Sequence, residues 1–263
     1  MRLDLALVQK GFFTSRTKAQ DAIKSDIVFY DNQNISKSSF DVTNLDLLEI
    51  RGKSMPYVSR GGLKLEKALN TFHVDLTNKA VLDIGSSTGG FTDCALQHGA
   101  KSVVAVDVGR EQMDHALREN PAVTLYEETD FRTIETAKID ECSIAVSDVS
   151  FISITKMLPK LSQMQKLKEI ICLIKPQFEC GKEYNDKYHG IIKDPKIHEQ
   201  ALTLVLDAFQ KYGFYLHAIT YSPIQGKNGN IEYLAYFTPR QSFEKKDFKK
   251  LVLEAFQTFN GLK

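Results

Sequence analysis

The chain has 263 residues, of which 43% are hydrophobic and 25% charged, the proportions of an ordinary globular protein. That length admits one large domain, or a medium domain with a small companion. A net charge of +1 excludes a global field that would gather a polyanion, so any nucleic-acid contact must rest on a local patch.

Cys94, Cys142, Cys172 and Cys180 form no C-x-x-C pair and join no histidine at zinc spacing. They read as small core hydrophobes in a reducing compartment, and no metal is expected. No apolar run approaches the ~20 residues a bilayer requires. The opening MRLDLALVQKGFF is broken by Asp4 and Lys10 and does not read as a signal peptide. A cytoplasmic protein with no membrane contact is expected.

In chain order, RLDLALVQKG places Leu3, Leu7 and Val8 at helical spacing and ends at Gly11, a C-cap residue. TSRTKAQDAIKSD begins a second helix, capped by Thr14 or Ser15, with Ala19, Ala22 and Ile23 on its apolar face. IVFYDNQNIS and LDLLEI read as short strands, with a polar turn after Tyr30. Residues 51–62, RGKSMPYVSRGG, are polar and interrupted by Pro56, and read as a linker before a helix, LKLEKALNTF.

From residue 80 the pattern alternates. AVLDIG, a helix from Phe91, SVVAVDV, a helix from Glu111, AVTLYE, SIAVSDVS, a helix from Ser153, EIICLI, a long helix from Pro195, YLHAITYS and IEYLAYF follow one another. Such alternation predicts an α/β domain with a mostly parallel sheet covered on both faces. The last segment carries Phe248, Leu251, Val252, Ala255 and Phe259 on one stripe, the pattern of an amphipathic helix packed on its own domain.

Three features point to chemistry. VLDIGSSTGGFTD follows a strand and opens a helix, with Gly85, Gly89 and Gly90 allowing a sharp turn and a close backbone approach. Its spacing is neither the dinucleotide fingerprint nor a phosphate loop. Asp83 before the turn would repel a pyrophosphate but suits a ligand bearing positive charge. Asp107 ends the next strand, where an acid can take two ribose hydroxyls. Finally, Lys175 follows the apolar strand EIICLI, where an ammonium is costly unless it works, and Asp148 ends the preceding strand on the same rim.

The acid set resembles the S-adenosylmethionine site of Rossmann-like methyltransferases. There Asp130, in ETDFR, would lie near the adenine. YVSRGGLKL, LDIGSSTGGFTD, SDVSFIS, LIKPQFE and GNIEYL together resemble the motif series of the TlyA family, often labelled hemolysin A. These are two-domain, FtsJ-type methyltransferases that act on ribosomal RNA within the subunits, and the resemblance runs over almost the whole chain. It implies methyl transfer from S-adenosylmethionine to a ribose 2'-hydroxyl, with cytidine as the expected nucleotide. It places a Lys–Asp–Lys–Glu tetrad on Lys64, Asp148, Lys175 and Glu232, with Lys64 fitting better than Lys67. The cofactor would meet Asp83, Gly85, Ser86, Gly89, Gly90 and Phe91, then Asp107, Asp130 and Asp148. A lysine desolvated beside a second lysine can act as a base, or if charged can stabilise an alkoxide. Lys175 is expected to be the proton acceptor, with Lys64 and Glu232 positioning ribose and phosphate.

Residues 1–50 resemble the RNA-binding module named after ribosomal small-subunit protein four, through the helix–helix–strand order and the SR-x-x-A signature in TSRTKAQ. Nine basic and seven acidic residues over 1–60 leave a small surplus, so binding needs the basic ones gathered on one face. Arg2, Lys10, Arg16 and Lys18 would face RNA, and Arg51, Lys53 and Arg60 would couple docking to the catalytic domain at 63–263. Asp31–Asn32 and Ser25–Asp26 stand where that module carries an Asn-Gly turn and a glycine. Competing readings are a non-catalytic RNA-binding factor, which has no use for the tetrad, and a hemolysin, for which no spanning segment speaks. A base methyltransferase would show an [ND]PP[YFW]-like motif where this chain has SDVSF.

Overall fold

The computed structural model describes residues 1–24, 27–51, 55–241 and 247–260. It divides into two compact units, Met1–Arg60 and Gly61–Lys263.

In the first unit, α1 (Leu3–Gln9) and α2 (Arg16–Lys24) precede three short strands, β1 (Val28–Tyr30), β2 (Gln33–Asn34) and β3 (Leu48–Ile50). The strands form an antiparallel sheet in the order β2-β1-β3. Leu3, Leu7, Ala19, Ile23, Val28 and Leu48 make its core. Gly11 has φ +78, the left-handed conformation that ends α1. Ser15 Oγ accepts from the Lys18 N–H at 3.3 Å and caps α2. Asp31 and Asn32 have φ of 48 and 63, so they fill both left-handed places of the hairpin turn without glycine. The expected strand LDLLEI is half helical: Leu45–Leu47 forms a 3-10 turn capped by Asn44, and only Leu48–Ile50 pairs. Ser25–Asp26 and Lys53 lie outside the described residues.

Within the linker expected over 51–62, residues 55–60 are irregular and residues 52–54 lie outside the described residues, while its two ends meet regular elements. Arg51 N–H donates to Ile27 O at 2.8 Å, continuing the β1–β3 edge, and helix α3 (Gly61–Phe72) has already begun at Gly61. The two compact units divide in sequence between Arg60 and Gly61, inside the expected linker.

The second unit continues with β4 (Ala80–Ile84), α4 (Gly90–Gln97), β5 (Ser102–Val106), α5 (His115–Arg118), β6 (Val123–Tyr126), β7 (Ile144–Ser147), α6 (Leu158–Leu161) and β8 (Glu169–Ile174). Then come α7 (Pro176–Glu179), α8 (Lys182–Lys187), α9 (Pro195–Lys211), β9 (Tyr215–Tyr221), β10 (Tyr233–Thr238) and α10 (Phe248–Asn260). The sheet has seven strands in the order β6-β5-β4-β7-β8-β10-β9. β10 runs antiparallel to both neighbours; the other pairings are parallel. The helix expected from Glu111 starts later, because Asp114 supplies the cap by accepting from the Ala116 N–H at 3.1 Å. Val252 and Ala255 of α10 are fully buried, and Phe256 meets His198 of α9 at 4.9 Å between ring centroids. The apolar stripe of α10 is thus covered by its own domain.

The central strands β7 and β8 are buried along almost their whole length, which explains their unbroken apolar runs. The chain builds outward from β4 to β6, then returns to β7 on the other side of β4. That reversal opens a crevice at the carboxyl ends of β4 and β7, the usual ligand position in an open α/β sheet.

Candidate active site

Four charged side chains meet on this rim. Asp148 follows β7 directly, and its N–H donates to Ile84 O at 3.2 Å, tying it to the end of β4. Lys175 follows β8. Glu232 precedes β10, and because β10 is antiparallel its beginning lies beside the end of β8, with Tyr233 opposite Ile174. Lys64 is the fourth residue of α3.

Lys64 Nζ donates to Glu232 Oε2 at 2.7 Å and to Asp148 Oδ2 at 3.1 Å. Lys175 Nζ lies 2.6 Å from Asp148 Oδ1, an ion pair not aligned as a hydrogen bond, and donates to Ser150 Oγ at 2.8 Å. Lys64, Lys175 and Glu232 are buried at 8%, 5% and 3% exposure, whereas Asp148 keeps 19% of its side chain open. Two ammonium groups and two carboxylates balance, which is what makes burial tolerable. Burial pulls the Lys64 pKa down, but the Asp148 and Glu232 carboxylates outweigh it and hold that ammonium above its ordinary value. Burial likewise raises Asp148, and Lys64 and Lys175 overcome it, so its carboxyl sits below the usual range. Lys64 therefore stays charged and does not suit a base. Lys67 does not join the cluster; its ammonium lies 4.0 Å over the Tyr221 ring.

Neighbouring groups hold these side chains in place. Asn230 accepts from the Ile192 N–H at 3.2 Å, and Tyr233 OH pairs with His198 Nδ1 at 2.8 Å, so the chain is anchored on both sides of Glu232. A Cβ at Gly226 would collide with the Glu232 carboxylate, so only glycine permits that approach. Glu179 of α7 accepts from Ser153 Oγ at 2.5 Å and from the Ile154 N–H at 2.9 Å, joining the segment after Lys175 to the loop after Asp148. Sequence reading did not single out Ser150, Gly226, Glu179 or Phe151. Phe151 is 85% exposed at φ +65, with its ring 5.4 Å from that of Phe178. The strings SDVSFIS and LIKPQFE contained three of them, but nothing in the strings says which face the lysine.

The glycine turn lies beside this cluster. Gly85 has φ +81, and a Cβ there would press on Val149 at 3.2 Å. Gly89 has φ +91, and a Cβ there would clash with Leu117. Gly90 and Phe91 begin α4, with Phe91 buried. Asp83 is wholly buried. Thr92 Oγ1 donates to its Oδ2 at 2.6 Å, while Oδ1 takes no hydrogen bond among the described residues. Burial, with added repulsion from Asp148 and Asp107, pushes its carboxyl up to about 7. Ser86 Oγ is also buried without a hydrogen-bond partner among the described residues. Asp107 accepts from the Ser87 N–H at 2.8 Å and the Gly109 N–H at 2.6 Å, so its carboxylate is fixed at the end of β5. Asp130 differs: it is bound by the Arg132 guanidinium at 3.0 and 2.5 Å, which holds its carboxyl below the usual range. The turn can thus take a ligand that offers a cation or donor to Asp83 and fits a cradle without side chains. No metal-ligating cluster occurs among the described residues.

In the first unit, Arg2 and Arg16 converge on Asp4. Lys10 is held by Leu45 O at 2.5 Å and Asp46 at 3.3 Å, and Arg51 pairs with Glu49 at 2.7 Å and covers the Phe29 ring at 4.7 Å. Lys18 is half-buried on α2, two residues after Arg16, and Arg60 is half-buried at the unit's end.

This fold, with a charged cluster and a glycine cradle on the carboxyl rim, is that of Rossmann-like methyltransferases. The family model described as FtsJ-like methyltransferase matches residues 57–238, and the chain belongs to that family. It is 40% identical to a Bacillus subtilis protein provisionally named rRNA methyltransferase YqxC, over 100% of this chain and 96% of that one. It is 36% identical to the 23S rRNA (cytidine-2'-O)-methyltransferase TlyA of Campylobacter jejuni, over 90% of this chain and 99% of that one. Among solved structures, a provisionally labelled hemolysin from Streptococcus thermophilus superposes with a TM-score of 0.78 at 37% identity, covering 100% of this chain and 98% of the other.

Proposed function

We propose that this protein transfers a methyl group from S-adenosylmethionine to the 2'-hydroxyl of a cytidine in ribosomal RNA. The convergence of Lys64, Asp148, Lys175 and Glu232 within 2.6–3.1 Å of one another's charged atoms carries this reading. The family membership and the relatives' activities support it. When bound, S-adenosylmethionine supplies an electrophilic methyl on a sulfonium. Asp83 Oδ1 suits its ammonium group, Asp107 its ribose hydroxyls, and Gly85, Ser86 and Gly89 the backbone approach.

A ribose hydroxyl is a weak nucleophile, so catalysis needs alignment and removal of one proton. Lys64 is held charged by two carboxylates and serves to fix Asp148 and Glu232. Among the described residues Lys175 pairs with Asp148 and donates to the Ser150 hydroxyl, whereas Lys64 is held by two carboxylates, so Lys175 is the group that can turn to the substrate. In its neutral amine form it accepts the 2'-hydroxyl proton as the ribose oxygen takes the methyl and the methyl–sulfur bond breaks, and the ammonium so formed is the state paired with Asp148. The exposed Phe151 ring offers a face for the base, since a target ribose must leave its stack to reach a recessed site. The first unit reads the RNA.

Labelled S-adenosylmethionine is incubated with unmodified ribosomal subunits and wild-type, Lys175→Ala or Lys175→Arg protein, and nucleosides are identified by mass spectrometry. Wild type should yield a 2'-O-methylated cytidine. Both variants should lose on the order of 10³-fold in rate, since arginine keeps the charge but accepts no proton. An arginine variant that keeps most of its activity would make Lys175 an electrostatic group instead. No incorporation by a cofactor-binding wild type would remove the enzymatic reading.

A further inference from the structure

Asp4 lies in the first turn of α1 with its side chain fully out of solvent. Arg2 donates Nε to Oδ1 at 3.0 Å and Nη2 to Oδ2 at 3.1 Å. Arg16 donates Nε to Oδ2 at 2.8 Å, Gln20 donates Nε2 to Oδ2 at 2.7 Å, and the Leu5 N–H donates to Oδ1 at 3.1 Å. A carboxylate has about four lone-pair positions, so Asp4 is saturated. Its hydrogen bonds, led by those from Arg2, outweigh burial and hold the carboxyl well below the usual range.

Both arginines stay half open, with side chains 46% and 52% exposed. Arg2 and Arg16 share Oδ2, so their guanidinium groups lie side by side. Two cations on one buried anion leave an excess positive charge. Arg16 meets Asp4 through Nε, which leaves both its Nη groups outside this contact. Other expected RNA contacts, Lys10 and Arg51, are engaged by acids of their own. A buried ion pair adds little net stability, so stability alone is a weak reason to keep this one.

We propose that Asp4 is a positioning residue that holds Arg2 and Arg16 as a two-pronged clamp on a phosphate, through which the first unit grips an RNA backbone. The proposal rests on the reading of the chain as a ribosomal RNA methyltransferase. Guanidinium groups match phosphate oxygens two by two, and Asp4 has already ordered side chains that would otherwise lose freedom on binding. Backbone contacts fix register without reading sequence, which suits folded RNA recognised by shape.

Binding of the full chain to an unmodified ribosomal RNA fragment is followed by fluorescence anisotropy across a salt series. Wild type is compared with Asp4→Asn and with the double variant Arg2→Lys/Arg16→Lys. Thermal melting and S-adenosylmethionine calorimetry report the fold. Removing an acid makes the surface more positive, so charge alone predicts tighter binding by Asp4→Asn. The clamp predicts the reverse: about tenfold weaker binding, with the salt slope reduced by about one phosphate. The double lysine variant keeps both charges and decides the matter if Asp4→Asn fails to fold; it should bind about fivefold more weakly. A folded Asp4→Asn that equals or exceeds wild type, or a lysine variant equal to wild type, overturns the clamp alone. A wild type that binds cofactor but no RNA overturns the clamp together with the RNA reading.

Discussion

Asp4 in the first unit and Asp83 in the second are both 0% exposed, yet they are opposites. Asp4 receives bonds from two arginines, a glutamine and a backbone amide; Asp83 receives one from Thr92 and keeps an oxygen without a partner among the described residues. Burial acts on both in the same direction, and the partners decide the outcome. The Asp4 carboxyl ends below the usual range, and that of Asp83 rises to about 7. A saturated buried carboxylate has finished its work within the fold and serves to hold its donors. A half-satisfied one stores an unfavourable charge that a proton or a cationic ligand can relieve.

Replacing each acid by its amide tests that contrast most strongly. Asp83→Asn should weaken S-adenosylmethionine binding by at least about 100-fold in calorimetry, because a buried charge loses its charged partner. The same change should raise the thermal midpoint of the ligand-free protein at pH 8 by on the order of 5 °C. The sign follows from linkage: an acid raised from 3.8 to about 7 in the folded state costs stability fully above about 7, and nothing below the ordinary carboxylate range. The gain should therefore fade as the pH falls to about 4. Asp4→Asn should do the contrary, lowering the midpoint at neutral pH and leaving cofactor affinity unchanged. Equal shifts in both variants would dissolve the contrast.

A second consequence concerns pH and the wild type. Cofactor affinity should be level above pH 7 and fall by up to about tenfold for each unit below it, as Asp83 takes up a proton that the bound ammonium must expel. Asp4 does not titrate in that window. An affinity independent of pH between 5.5 and 8 would remove Asp83 from the contact.

The smallest expected effect tests the tetrad's packing rather than its charges. Gly226→Ala should push the Glu232 carboxylate away from Lys64 and lower kcat roughly tenfold, with cofactor affinity unchanged. Unaltered turnover would mean that the 222–230 loop shifts freely.

Much of this site could be read along the chain, and the physical reasons are local. A glycine turn after AVLDI, an acid before it and a lysine after six strand residues all arise from near neighbours. Glu232 could not be placed that way. It precedes its strand, and a residue before a parallel strand would lie on the far edge; the reversal of β10 brings it to Lys64. Asp130 is two residues from its competitor in sequence, but only folded geometry turns its carboxylate onto Arg132. Ser150 and Glu179 lie inside recognisable motifs, and their contacts cross between two loops 25 residues or more apart.

Residue order alone determined the alternation of strands and helices, the glycine cradle and the identity of the charged groups, because each depends on periodicity and turn chemistry within a few positions. Tertiary structure decided which charges share a partner. Asp4 and Asp83 are both acids beside leucine or isoleucine in the sequence. Their opposite states come from the number of donors that distant segments deliver to each, and from the water those segments exclude.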